Sequence, residues 1–482
     1  MRPEIRRGRS DRAVTGQYGS DIKGMKGILK VEGDRQLKEM KQAMKRNRKK
    51  ASRILTAMCL AAMAMSMMSS CMGRPDPNQN IIITEDEEKR PIYLFSPMEK
   101  TNPDGENAAR NAADTTIAMA EEELGVTVAY RTYTAEDYKD KTYDDVCLDR
   151  ARSNMDDIYL LNPDVVQALA AEGLLADLSG LDCVKNLREV VKIANTVDGK
   201  LVAIPQEVVV YGLFINMDIF NKYGLKLPET PEDFLECCRV LKENGIETPV
   251  GANRWWLETF VLAQAYADLY NGGNTEAEIA ALNGGRAKYS DYMRPGFEFL
   301  QEMIDCGYID AQKAYVSEAI EGEGPDFLAG KTPIVMAYWG AANTDTAYGI
   351  TDFELQVIGF PSSRGQMPVM PMTGFAVGAD AEHREDAMLA LDVMLSDEAL
   401  LRYAEINRVI SPSQNVEVEY ISALKPLNDR IQEGIFVLGS NAGMKVEQWG
   451  NTCLIVRRLL NGATVDECME EFDRLQEESL EK

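Results

Sequence analysis

The sequence predicts an α/β protein built as two lobes with a hinge between them. Strands alternate with helices of about 10–15 residues, which is typical of a sheet covered by helices. The 482 residues are enough for two lobes with separate cores. The run Val208–Ile215 is apolar at nearly every position and follows the polar pair Gln206 and Glu207. This pattern indicates a central buried strand that the chain enters as it crosses between lobes.

The first part of the body alternates strands and helices. The predicted strands are Pro91–Phe95, Val126–Tyr130 and Asp157–Leu161, and the predicted helices are Ala108–Leu124 and a helix that begins after Asn162 and ends at Gly173. Ligands of such sheets bind beyond the carboxyl ends of the strands. The segments Ser96–Met98 and Leu161–Asp164 are therefore candidate ligand contacts.

The remaining elements follow local signals. A capping box at Thr230–Asp233 opens a helix that Gly245 ends, and Arg254-Trp255-Trp256 precedes another helical stretch. The later predictions are a strand ending at Trp339, a strand at Met372–Gly378, one helix at Glu385–Tyr403, a polar turn at Asn407–Asn415, a helix at Trp449–Leu460 and a capped last helix from Thr464.

The charge is divided unevenly along the chain. The net charge is −25, but residues 1–70 hold 17 Lys and Arg against 6 Asp and Glu, which leaves 35 against 71 for residues 71–482. A body with an excess of 36 acidic residues repels nucleic acid, so we predict no nucleic-acid partner and interpret the charge as a solvated surface.

Several kinds of reactive site are excluded. The seven cysteines of the body are odd in number and irregular in spacing, which indicates neither a disulfide framework nor a zinc site. The single histidine, His383, lies in the polar run 381–386, AEHRED, so we predict no Ser-His or Cys-His catalysis. The segment Ala329–Thr332 reads Ala-Gly-Lys-Thr, but it leads from a helix into a strand, the reverse of a phosphate loop. We predict no cofactor and no metal.

The amino-terminal part has the pattern of an export signal. Residues 44–70 contain a basic stretch, an apolar core of about 15 residues and small residues before Cys71. Met68-Ser69-Ser70-Cys71 resembles a bacterial lipobox, which implies lipidation of Cys71. We interpret 1–43 as an over-extended reading frame and 71–90 as a flexible tether. The alternative for 44–70 is an uncleaved membrane anchor; either way the body lies outside the membrane.

Aromatic and acidic residues suggest two kinds of site. The four tryptophans, Trp255, Trp256, Trp339 and Trp449, lie near element boundaries, and an indole face suits the C–H face of a sugar ring. Ordinary packing is the alternative for each of them. Acidic residues are numerous enough that a carboxylate pair for glycoside hydrolysis stays open.

Several separated segments resemble the family 1 extracellular solute-binding proteins, the capture subunits of ABC importers. The most specific one reads GKLVAIP, then FINMDIFNKYGLKLPETPEDF after a short gap. The others, in chain order, are DDIYLLNPDVVQALAAEGLLADLS, FLAGKTPIVMAYWG, GFAVGADAEHREDAMLALDVMLSDEALLRYAE and RVISPSQN. Together they extend over nearly all of 91–482.

The resemblance implies a periplasmic-binding-protein-like fold, with two α/β lobes, a hinge of three crossings and a ligand cleft between the lobes. The implied crossings lie near Val208–Tyr211, at Thr373 and at 407–411. Lobe 1 then comprises 91–208 and 373–407, and lobe 2 comprises 209–372 and 408–482. By the same resemblance, Trp339 and Trp449 are expected to stack on the ligand and Asp164 to make a polar contact with it. We further expect apolar contact from Trp255 or Trp256, hydrogen bonds from Asp164, Asn162 and Glu207, and contributions from Tyr211, Thr373 and Ser96.

The resulting prediction is a monomeric, non-enzymatic receptor anchored by lipid to the outer face of a bacterial cell membrane. It would capture a carbohydrate, specifically an oligosaccharide, by hinge closure and deliver it to an ABC permease. The alternatives are a receptor for a peptide or another non-sugar solute, and a secreted carbohydrate-active enzyme that uses paired carboxylates.

Overall fold

The computed structural model describes residues 91–97, 112–134, 138, 141–254, 256–317, 323–340, 351–418 and 422–481. The predicted export signal, Cys71, the tether and Trp255 lie outside the described residues. Within the described ranges, every helix is too short or too polar to cross a bilayer.

The described residues form an alternating series of strands and helices. The strands are β1 (Pro91–Ser96), β2 (Thr127–Thr132), β3 (Ile158–Leu161), β4 (Thr196–Val197), β5 (Lys200–Leu201), β6 (Val210–Asn216), β7 (Val250–Gly251), β8 (Ile334–Trp339), β9 (Leu355–Ile358), β10 (Phe360–Ser362), β11 (Gly365–Met367), β12 (Val369–Met370), β13 (Gly374–Val377) and β14 (Val437–Leu438). The helices are α1 (Ala112–Leu124), α2 (Tyr143–Arg152), α3 (Pro163–Ala171), α4 (Glu189–Asn195), α5 (Met217–Tyr223), α6 (Pro231–Glu243), α7 (Leu257–Asn271), α8 (Thr275–Asn283), α9 (Tyr289–Asp305), α10 (Ala311–Val316), α11 (Gly324–Leu328), α12 (Arg384–Met394), α13 (Asp397–Asn407), α14 (Lys425–Gln432), α15 (Trp449–Leu460) and α16 (Val465–Leu480).

The first sheet has the order β13-β3-β1-β2. Strand β1 runs parallel to β2 and β3, whereas β13 pairs antiparallel with β3, with Gly374 opposite Leu161. Helices α12 and α13, which follow β13, pack on α1. The chain therefore returns to the first sheet after it has built much of the second one.

The second sheet has the order β14-β12-β6-β8-β7, with β9 also paired to β6. Strand β6 lies at its centre and runs antiparallel to β8, β9 and β12. Six of its seven residues are buried and Tyr211 is half-buried, as expected for a strand covered on both faces. Helices α7, α9, α15 and α16 pack together beside this sheet.

The segments that pass between the two sheets are hydrogen-bonded to one another. Ile204 and Phe375 exchange two backbone hydrogen bonds of 2.9 Å each. The Val208 N–H donates to the Ile410 carbonyl oxygen at 2.8 Å. The side chain of Arg188 donates to the Ser411 carbonyl oxygen at 2.7 Å. These pairs join the three crossing segments into one hinge region between the two α/β units, while the lobe boundaries given above stay a prediction.

Local sequence signals account for most element ends. Thr230 and Thr464 form capping boxes with the residues three positions later, and Gly224 ends α5 at φ 69°. The prediction of one helix over Glu385–Tyr403 is wrong. The chain leaves α12 at Leu395, and the Ser396 side chain accepts the Ala399 N–H at 3.3 Å, so a second helix starts there.

Candidate functional site

The candidate site lies where the strands of both sheets end. In the first sheet, Ser96 closes β1, Asn162 follows β3 and Thr373 precedes the antiparallel β13. In the second sheet, the end of β8 lies beside the start of β6, with Trp339 opposite Val210. A segment that we call the 439–448 segment leaves the end of β14 and leads to α15. The topology thus brings most of the expected contacts to one edge of each sheet.

Four aromatic side chains form what we call the aromatic group. Tyr211 lies at its centre, with ring centroids 5.3 Å from Tyr338 and 5.2 Å from Trp449. Trp256 meets Tyr338 edge-on at 6.0 Å. Burial is the largest reason that the pKa of Tyr211 lies well above its usual range, so its hydroxyl stays a neutral hydrogen-bond donor and acceptor. Trp449, Trp256 and Tyr211 were expected at the site, and the structure brings them together.

The two neighbouring aromatic residues at the end of β8 point in different directions. The Trp339 side chain is only 2% exposed, its indole N–H donates to the Arg408 carbonyl oxygen at 2.9 Å, and its ring packs 6.2 Å from Phe214. Tyr338 is half-buried and joins the aromatic group. Because side chains alternate between the faces of a strand, only one of the two can face Tyr211. The stacking role expected of Trp339 stays a prediction.

Trp449 rests directly on the backbone of the 439–448 segment. A Cβ atom placed on Gly439 would lie 2.2 Å from two carbon atoms of the Trp449 ring. Real Cβ contacts are essentially never that short, so glycine is required at this position for the ring to pack as it does. The first residue of α15 is therefore positioned by the end of β14.

A polar set of residues lies at the strand ends of the first sheet. The Thr373 hydroxyl donates to the Asn162 side-chain oxygen at 3.0 Å, and the Asn162 amide donates to Asp144 at 2.9 Å. Burial raises the pKa of Asp144. Asn162 also precedes Pro163 at the start of α3, as its N-cap position predicted.

Asp164 joins the two α/β units. Its carboxyl group lies in the first turn of α3, and it accepts a hydrogen bond of 3.0 Å from the Ser440 hydroxyl of the 439–448 segment. Burial, followed by hydrogen-bond and charge contact with Glu447, raises the pKa of Asp164 to about 8. Glu447 in turn accepts the Gly450 N–H and, at 2.9 Å, the Asn451 N–H.

The other expected residues have less direct positions. Glu207 is half-buried. Burial and, to a smaller extent, the charge of Glu207 raise the pKa of Tyr338. Ser96 is fully buried, and its carbonyl oxygen accepts the Tyr133 N–H at 3.1 Å. The remaining tryptophan of the pair before α7, Trp255, lies outside the described residues. Whether Ser96 and Glu207 contact a ligand stays a prediction.

Sequence reasoning missed four residues of this site: Asp144, Tyr338, Ser440 and Glu447. A signal existed for Tyr338, which precedes Trp339 on a strand and must occupy the other face. Glu447 lies two residues before Trp449 and in N-cap range of α15, which also could have marked it. Ser440 carries no local signal.

This arrangement suits a polyhydroxylated solute. Aromatic rings give flat apolar faces, while Asn162, Thr373 and Ser440 give hydroxyl and amide groups that both donate and accept. In the described part of the chain, no group of three or more His, Cys, Asp or Glu side chains is arranged to hold a metal ion. All seven cysteines of the described body are free thiols, and only Cys306 is exposed.

The fold resembles that of several solved proteins. A family 1 extracellular solute-binding protein from Bifidobacterium longum subsp. infantis is 19% identical, with a TM-score of 0.64 over 80% of this chain and 98% of that chain. RafE in complex with raffinose is 16% identical, with a TM-score of 0.60 over 81% and 99%. The sugar-binding protein MalE from Xanthomonas citri is 14% identical, with a TM-score of 0.61 over 81% and 97%.

The two-lobed α/β fold, its hinge and its cleft agree with these structures. At such identities the likeness establishes the fold and nothing finer. The family model for bacterial extracellular solute-binding proteins matches residues 103–400, more than half of the chain. The chain therefore belongs to the family of bacterial extracellular solute-binding proteins.

Proposed function

We propose that the protein is the capture subunit of an ABC importer and that its solute is a carbohydrate, specifically an oligosaccharide. The observation that supports this best is the aromatic group of Tyr211, Tyr338, Trp449 and Trp256, which lies beside the polar residues of the 439–448 segment. Rings stack on the C–H faces of sugars, and neighbouring hydroxyl and amide groups bind their hydroxyls.

The similar structures support the same solute class. RafE was solved with raffinose, another similar structure is a chitin oligosaccharide binding protein, and MalE is described as sugar-binding. Capture would occur by closure of the two lobes about the hinge. The closed protein would then be recognised by the membrane subunits of the importer. It would be held at the membrane, as a monomer, through a lipid on Cys71.

A non-catalytic role agrees with the family, because its model describes solute-binding proteins.

The test is a thermal-shift and calorimetric screen of the purified protein against raffinose, maltodextrins, chitin oligosaccharides and peptides. We expect one sugar class to raise the melting temperature, because a ligand that binds only the folded state stabilises it. Trp449→Ala should weaken that binding at least tenfold, whereas Tyr223→Ala, which removes a half-buried ring outside the aromatic group, should not. A shift with peptides and none with sugars would refute the carbohydrate assignment.

The anchor has its own test. Cells that express the protein are labelled with a fatty-acid analogue and fractionated. We expect label and membrane association in the wild type and neither in Cys71→Ser. An unlabelled wild type would exclude the lipid anchor without affecting the solute assignment.

A further inference from the structure

The end of strand β8 lies at the hinge region. Trp339, its last residue, is opposite Val210, the first residue of β6. The ring of Trp339 packs 6.2 Å from the ring of Phe214, a fully buried residue of the same strand β6. Trp339 is therefore fixed to the second sheet.

The chain around Arg408 is attached to the first unit instead. Before Arg408 lies helix α13, which packs on α1. After it, the Ser411 carbonyl oxygen accepts a hydrogen bond of 2.7 Å from the Arg188 side chain. Two residues before Arg188, the Asn186 amide donates to Asp397 of α13 at 2.8 Å. The backbone on both sides of Arg408 therefore moves with the first unit.

A side-chain hydrogen bond connects these two attachments. The indole N–H of Trp339 donates to the Arg408 carbonyl oxygen at 2.9 Å, and only 2% of Trp339 is exposed, so the bond is shielded from water. Arg408 ends α13 in the left-handed backbone conformation, with φ 54° and ψ 43°. Residues other than glycine rarely adopt this conformation unless the surrounding structure holds them in it. The bond from Trp339 is one of the contacts that hold Arg408 there.

The residue after Trp339 makes a second close contact at the hinge region. A Cβ atom placed on Gly340 would lie 3.1 Å from Cγ2 of Val209, which immediately precedes β6. Ordinary contacts begin at 3.4 Å, so the end of β8 passes the first crossing with little space. The end of β8 thus touches the first crossing through Gly340 and the third crossing through Trp339.

The structure describes an arrangement in which the two units also touch across the cleft. The 439–448 segment follows β14 of the second sheet. Its Ser440 hydroxyl donates to Asp164 of α3 at 3.0 Å, and its Ala442 N–H donates to the Ala194 carbonyl oxygen of α4 at 3.2 Å. Separation of the lobes would break both bonds and make the protein more extended. The described arrangement is therefore a closed one.

We propose that Trp339 is a hinge residue: its hydrogen bond to Arg408 favours the closed arrangement of the lobes, and it positions the binding site without stacking on the solute. Because Trp339 moves with the second sheet and Arg408 with the first unit, rotation of the lobes changes the distance between donor and acceptor. One hydrogen bond shifts an equilibrium by about 2–10-fold. Loss of this bond should lower the ratio of closed to open protein by that factor.

The effect on binding has a form that separates a hinge residue from a ligand contact. A solute that binds the closed protein gains apparent affinity in proportion to the closed fraction. The bond from Trp339 acts on that fraction and not on the solute. Its loss should therefore weaken the binding of every solute by one common factor, no larger than about tenfold.

The experiment replaces Trp339 by β-benzothienylalanine, whose bicyclic ring keeps nearly the shape of indole but has a sulfur atom in place of the N–H. Small-angle X-ray scattering measures the radius of gyration of the ligand-free full chain, below its melting temperature. We expect a larger radius than in the wild type. Trp339→Phe, which also lacks the donor, should expand in the same way. The same analogue at Trp449 controls for the sulfur atom and should leave the radius unchanged.

A benzothienylalanine protein with the radius of the wild type would overturn the hinge role. So would affinities for a short and a long sugar that fall by different factors, because a stacking residue acts on each solute separately. The inference rests on the proposed function only in that closure is taken to capture a solute. If no sugar binds, the proposed function fails, whereas the scattering still decides whether Trp339 acts on the hinge.

Discussion

Gly439 gives the sharpest test of how Trp449 is positioned. An alanine Cβ at 439 would lie 2.2 Å from Cε3 and Cζ3 of the indole, whereas ordinary contacts begin at 3.4 Å. Either the ring or the backbone must move by about 1 Å. Overpacking of this kind costs about 1–3 kcal/mol. We expect Gly439→Ala to lower the free energy of unfolding by that amount.

A double-mutant cycle isolates the contact. Once Trp449→Ala has removed the ring, an added Cβ at 439 meets no indole, so Gly439→Ala should cost little in that background. Gly180→Ala is the matched control, because a Cβ at Gly180 has nothing within 4 Å. Such a change is neutral or stabilises a protein by about 0.4–1 kcal/mol.

The assay is urea unfolding followed by circular dichroism for the four members of the cycle and the control. If Gly439→Ala unfolds at the same urea concentration as Gly180→Ala, or costs the same with and without the indole, the reasoning is wrong. Binding gives a second readout, because a displaced indole loses its 5.2 Å contact with Tyr211. Any sugar bound by the wild type should therefore bind more weakly to Gly439→Ala.

Two further predictions concern buried charges. Asp156→Asn should lower the free energy of unfolding by about 3–5 kcal/mol, because it leaves the 9%-exposed Arg150 side chain without the carboxylate to which it donates at 2.7 and 2.8 Å. Urea unfolding measures this loss. The control Asp149→Asn removes an exposed partner of Lys141 and should leave the urea midpoint unchanged. Glu258→Gln should become more stable relative to the wild type as pH rises from 5 to 9, by up to about 1.4 kcal/mol per pH unit. The reason is that burial raises the pKa of Glu258 well above its usual range, and neither of its oxygens accepts a hydrogen bond from another described residue. Equal profiles of stability against pH for the two proteins would contradict this.

Features that depend on residues close together in the sequence could be predicted. Thr230 and Thr464 each lie three residues before an acid, and that spacing alone defines a capping box. The bounds of α15, Trp449–Leu460, follow from its apolar periodicity and the glycine after it. The assignment of Val208–Ile215 to a central strand was correct for the same reason, although the strand begins two residues later, at Val210.

The features that could not be predicted depend on distant residues. The residues near Asp164 in the sequence do not predict its interactions with Ser440 and Glu447, because these residues come together only when both sheets have formed. The choice between Tyr338 and Trp339 depends on which face of β8 meets β6, and a family pattern with a tryptophan at the strand end does not specify it. The end of one helix and the start of the next at Ser396 were not predicted, because this N-cap residue lies within a segment whose other residues all favour a helix.

The interleaved sheets also constrain how the chain can fold. Strand β3 pairs antiparallel with β13, so Gly374 lies opposite Leu161 although the two are far apart in the sequence. The second sheet likewise is complete only once β14 has paired with β12. Such non-local pairing slows folding, because the loop-closure entropy is lost before the contacts form. Neither sheet can therefore be complete before residue 377 has been synthesised.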